Sequence, residues 1–88
     1  MSRLEEKLIE LGYEIEREEN DTENDFCACK KGNNNADIII GVWDNKIKSW
    51  YLYTYFTKHI RRQDTIDNLQ QAFNEMQKDL EILKECGE

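Results

Sequence analysis

Proline is absent from these 88 residues, histidine occurs once, glycine four times and cysteine three times. Each scarcity excludes something. A chain without proline and with so little glycine contains no stretch of linker composition, so one domain spanning residues 1–88 is expected. No run approaches the roughly 20 apolar residues that a membrane span needs. The opening Met1-Ser2-Arg3-Leu4-Glu5-Glu6 is charged from its third residue and lacks the apolar core of a secretory leader. Cys27, Cys29 and Cys86 are an odd count, read most simply as reduced thiols in a bacterial cytoplasm.

The same scarcity bears on chemistry. His59 stands between Lys58 and Ile60 with no nucleophile motif near it, and Gly32 is alone among asparagines where a phosphate loop would need several glycines. Carboxylates abound, but nothing distinguishes any pair of them. The chain is therefore expected not to be an enzyme. Cys27, Cys29, Cys86 and His59 add up to a three-sulfur, one-nitrogen zinc set. Strong zinc signals come as two closely spaced pairs, however, and here two of the ligands are scattered. No metal and no cofactor is expected. A domain of this size buries only about two-thirds of its unfolded surface, which leaves little for a deep pocket; a groove or an open face is the expected working surface.

What the sequence has in excess is acid: 19 Asp and Glu against 12 Lys and Arg, a net charge of −7. The excess is segregated. Residues 1–25 hold ten acids and three bases, residues 45–63 hold five bases and no acid, and residues 64–88 hold seven acids and two bases. The total repels nucleic acid and suits a basic protein partner.

Periodicity supplies the architecture. Leu4, Leu8 and Leu11 share one helical face, Ser2 can cap that helix, and Gly12 is placed to stop it. Tyr13, Ile15 and Arg17 then alternate with glutamates, as in a strand with one wet face. After the polar turn 19–25, Phe26 to Lys30 reads as a short strand, and 32–35 as a turn. Ala36 to Trp43 is apolar on both faces and reads as a central strand, joined through Asp44-Asn45-Lys46 to a partner from Ile47 to about Phe56. Ile66, Leu69, Phe73, Met76, Leu80 and Leu83 mark a long closing helix with Asp64 as N-cap and Gly87 as its stop. The expected fold is α+β in two layers, α-β-β-β-β-α, an antiparallel four-stranded sheet with both helices on one face.

Alternation places Tyr51, Tyr53 and Tyr55 on one face of the last strand and Trp50, Leu52 and Phe56 on the other. The second set is the better core lining, leaving a tyrosine stripe on the open face. With Lys58, Arg61 and Arg62 beside it, the stripe is the first candidate for partner binding, since tyrosine and arginine are common anchors of protein interfaces. The same stripe could stack bases of a single strand, and the plainest reading is a solvated sheet face. Glu14, Glu16, Glu18 and Asp21 form a second candidate, a carboxylate array able to imitate a phosphate backbone; against it stands a merely solvated strand.

Two segments carry a resemblance. Leu4-Glu5-Glu6-Lys7-Leu8-Ile9-Glu10-Leu11-Gly12-Tyr13 and the closing run from Ile66 to Leu80 resemble small phage and prophage proteins of Gram-positive bacteria, which share a leading helix, a strand-rich middle and a closing helix. The resemblance carries no functional residues. It implies an accessory role in a bacterial host, often inhibition of a nuclease or another defence component. The expectation is an acidic cytoplasmic protein that binds and modulates a host or phage protein, in its sharpest form an anti-CRISPR inhibitor. Two alternatives remain: a single-strand nucleic-acid binder using the tyrosine face, and a structural phage protein assembling through its last helix. No membrane role is expected, and the chain is expected to be a monomer or a homodimer.

Overall fold

In the computed structural model, residues 2–31, 36–54 and 61–86 are described. Their order is α1 (Arg3–Glu10), β1 (Glu14–Glu16), β2 (Phe26–Lys31), β3 (Ala36–Trp43), β4 (Lys46–Thr54) and α2 (Arg62–Lys84). The strands form one antiparallel sheet in the order β1-β2-β3-β4, so the expected α+β architecture is the one found.

α1 begins and ends on local chemistry. The Ser2 hydroxyl accepts the Glu5 N–H at 3.1 Å, satisfying one of the first-turn donors. At the far end the Gly12 N–H donates to the Ile9 carbonyl and the Tyr13 N–H to the Leu8 carbonyl, both at 3.0 Å. This closing motif requires a left-handed residue, and Gly12 adopts φ +100°. Leu8 and Tyr13, the apolar pair that accompanies the motif, are both buried.

The β3–β4 hairpin closes through Asp44 and Asn45, at φ 56° and 60°, the pair of left-handed residues that lets a two-residue turn match the sheet's twist. Gly41 pairs with Ser49 and Val42 with Ile47, leaving Lys48 as the extra residue of a bulge. β3 is buried along Ala36, Ile38, Ile40 and Val42, as its apolar run predicts for an interior strand.

α2 differs from expectation at its start. It opens three residues earlier, with Arg61 in the N-cap position and no side-chain cap; Asp64 lies in the first turn and accepts the Arg61 guanidinium at 3.2 Å. That partner holds the Asp64 carboxyl below its ordinary range. Gly87 lies outside the described residues. The buried ridge of α2 is Ala72, Met76, Asp79 and Leu83, rotated from the apolar stripe, so that Ile66 and Phe73 stay partly exposed. Trp50 faces the helix layer, 6.2 Å edge-on from Phe73, yet is half exposed because β4 is the sheet's edge.

A polar network ties α2 to the sheet. The Tyr13 hydroxyl donates to Asp79 Oδ2 at 2.7 Å, and Lys30 Nζ reaches the same oxygen at 3.1 Å while lying 5.2 Å from the Tyr13 ring centre. Burial, then the bond to Asp79, pushes the Tyr13 hydroxyl well above its ordinary pKa. A group raised on folding gives stability that is intact below the unfolded value, about 10 for tyrosine, and fades as pH climbs toward the folded one. Tyr13→Phe is expected to cost about 1 kcal/mol near neutrality. It should also flatten the alkaline loss of stability, a difference read from urea midpoints at about pH 8 and about pH 11. Parallel profiles for the two proteins would exclude this role.

Candidate partner-binding face

Both helices pack on one face of the sheet, and the register assembles the other. Across it, Glu14 pairs with Cys29, Cys29 with Ile39 and Ile39 with Tyr51, giving one row from edge to edge. The next row runs Glu16, Cys27, Gly41, Ser49, and a third runs Lys31, Asp37, Tyr53. Tyr51 and Tyr53, at 52% and 50% exposure, are therefore on the same surface as Glu14 and Glu16. The two candidate surfaces that the sequence presents separately share one face.

Beside the second row lies a groove of about 430 Å³. Glu16, Glu18, Asp21 and Asp25 line its acidic side and Trp43, 61% exposed, its apolar side. Gly41 brings no side chain into the space between them. Asp25 belongs to the acidic run that the sequence offers as a carboxylate array, whereas Trp43 belongs to this site although sequence reading passed over it. The signal for Trp43 was present in alternation, since it shares parity with Ile39 and Gly41 on β3.

The acidic loop 17–25 is held in place rather than merely solvated. The Arg17 guanidinium makes a two-pronged pair with the buried Glu5 carboxylate, at 3.2 and 2.6 Å, and also donates to the carbonyls of Thr22 and Glu23. It lies 4.9 Å from the Phe26 ring centre as well. The Glu5 bond is the main reason the Arg17 pKa is raised. At the loop's other end, Asp25 accepts the Asp44 N–H at 2.8 Å, and Asn24 accepts both the backbone and the amide N–H groups of Asn45. Asp21 accepts the Glu18 N–H at 2.8 Å. The carboxylates are thus fixed on a frame shared with the β3–β4 turn, which lowers the ordering cost of binding.

The remaining candidates stand elsewhere. Arg61 and Arg62 open α2 in the helix layer, on the opposite side of the sheet from Tyr51 and Tyr53, and Arg61 is paired with Asp64. Tyr55 and Lys58 lie outside the described residues, as does His59. Cys27, Cys29 and Cys86 are free thiols. Burial first, then Asp37, Glu16 and Glu14, pushes the Cys29 thiol up, which suppresses its nucleophilic thiolate form. Among the described residues no three His, Cys, Asp or Glu side chains converge to hold a metal ion, and no helix is long and apolar enough to cross a membrane. Compared with protein families, curated proteins and solved structures, the chain finds no match in any of the three.

Proposed function

We propose that this chain is a small accessory protein of phage or prophage type that acts in the bacterial cytoplasm by capturing a protein partner on the open face of its sheet. In the sharpest form the captured protein is a host defence component, such as a CRISPR effector, and capture inhibits it. The observation that carries the reading is the shared face: exposed Trp43, Tyr51 and Tyr53 beside Glu14, Glu16 and the braced carboxylates of loop 17–25. Aromatic anchors ringed by charge are the composition of a protein interface, and the sign of the charge selects a basic partner.

A single-strand nucleic-acid binder would use the same tyrosines. Glu14 at the end of the Tyr51 row and Glu16 at the end of the next count against it, because they would meet the phosphates. Half-exposed Ile66 and Phe73 leave room for assembly through α2. One experiment separates all three. Tagged protein is used to capture partners from a Gram-positive host lysate, with and without nuclease, and its own mass is followed by sedimentation. The expected result is one basic protein held in both arms by a monomer and lost with Tyr51→Ala/Tyr53→Ala. Capture abolished by nuclease would move the case to nucleic acid, and self-association broken by Phe73→Glu to a structural role.

A further inference from the structure

β4 is an edge strand, and no described strand pairs with its outer side. A groove of about 470 Å³ runs against that side at the segment Lys46–Trp50. Residues of a strand point alternately to its two faces, so five in succession line one groove where it meets the strand edge-on. Across the groove stand Leu80 and Leu83 of α2, and at its floor is the buried Leu4 of α1. The rim is basic. Among the described residues Lys84 has Glu81 as its one acidic partner, at 3.1 Å, a pair 72% exposed on both sides and correspondingly weak, while Lys46 and Lys48 have none. In a chain of net charge −7, this is a basic, apolar-floored recess against an open strand edge.

We propose that this edge takes a fifth strand from a partner: an extended segment in which acidic and apolar side chains alternate. Its backbone would hydrogen-bond to β4 on either side of the Lys48 bulge, its apolar side chains would enter the groove against Leu80 and Leu83, and its carboxylates, on the opposite face, would meet Lys46 and Lys48. Main-chain bonds to an edge provide affinity in such additions, and pockets for alternate side chains provide specificity. A second copy of this chain fits poorly. An antiparallel pairing centred on this segment sets Lys48 opposite Lys48, and like charges directly opposed destabilise a strand pair. The site shares only Lys48 and Ser49 with the open-face groove and does not rest on the reading of that face.

The test uses the full chain carrying Trp43→Phe, so that Trp50 is the only tryptophan emitting. The probe is a short synthetic peptide alternating glutamate with valine. A saturable change in Trp50 emission is expected, together with slowed amide exchange along Lys46–Trp50. Binding should weaken roughly tenfold or more in Lys46→Glu/Lys48→Glu, whose exposed positions leave the circular dichroism unchanged. The same peptide N-methylated on alternate backbone nitrogens should bind as poorly. Equal binding by the N-methylated peptide, binding of laurate but not of the peptide, or indifference to lysine reversal would each overturn the strand-addition proposal. So would a dimer that forms without peptide and shields Trp50.

Discussion

Asp79→Ala is expected to lower the stability of this protein by about 3 kcal/mol. Asp79 is 5% exposed, and a single oxygen of its carboxylate serves both the Tyr13 hydroxyl and the Lys30 ammonium. Truncation leaves the hydroxyl buried without an acceptor. It also leaves Lys30, with a side chain only 19% exposed, with Glu75 at 3.9 Å as its one anionic partner among the described residues. Removing one partner of a buried pair costs about 3–5 kcal/mol, because the other charge stays in the low-dielectric interior. Glu75 and the partial exposure of Lys30 place this case at the lower end. For a domain of this length such a loss corresponds to a fall of roughly 12–24 °C in Tm, measurable by calorimetry and by urea midpoint. Asp79→Asn keeps an acceptor for Tyr13 but not the charge and should fall between. Lys30→Met/Asp79→Leu removes both charges together and should recover the part of the loss that comes from the stranded charge, the Tyr13 hydroxyl still lacking its acceptor. An unchanged midpoint in Asp79→Ala would show that the network is not what fastens α2 to the sheet.

That network was not legible in the sequence, and the reason is specific. Asp79 stands between Lys78 and Leu80 on a helix rich in charge, where a carboxylate reads as solvated. Only the packing angle of α2 turns it inward, moving the buried ridge to Ala72, Met76, Asp79 and Leu83 and leaving Phe73 half out. Lys30 likewise occupies a core-side position of β2, on the parity of Phe26 and Ala28, which a hydrophobic pattern alone assigns to an apolar residue. By contrast, the order of elements, the Ser2 cap, the Gly12 stop and the Asp44-Asn45 turn are local, each set by residues within a few positions of one another, and all were legible.

The candidate face divides in the same way. Alternation alone separates Tyr51 and Tyr53 from Trp50 and Leu52, and the structure has that separation. Alternation also puts Glu14 and Glu16 opposite Ile15. It cannot say that the outward side of β1 and the outward side of β4 are one surface, because that depends on the register through β2 and β3. A shift of one residue in either pairing would have put the glutamates under the helices. Arg17 continued the strand pattern in the sequence; its bonds to Glu5 and to the loop carbonyls depend on α1 lying beside β1.

Reversing the acidic side of this face should abolish partner capture while leaving the fold intact. Glu14, Glu16 and Glu18 are all exposed, and none accepts a side-chain hydrogen bond that braces the loop. Their replacement together, Glu14→Lys, Glu16→Lys and Glu18→Lys, should therefore change stability by no more than about 0.5 kcal/mol per site, the ordinary range for surface positions. Repulsion within an acidic molecule is relieved at the same time. Against a basic partner the effect is large. Like charges facing across an interface cost several kcal/mol, so a loss of affinity of about 100-fold, or 2.7 kcal/mol, is the smallest change expected. The wild-type complex should also weaken as salt rises, because exposed charges are screened beyond about 8 Å at physiological ionic strength. A variant with Asp67→Lys, Glu81→Lys and Glu85→Lys makes the same change in net charge on the helix layer and serves as the control. If capture survives the β1 reversal, or falls equally in the helix reversal, the face is not the site and only the total charge matters. If it falls in the first alone, the acidic half of the face selects the partner. Tyr51 and Tyr53 at the other end of the rows then remain to supply the contact area.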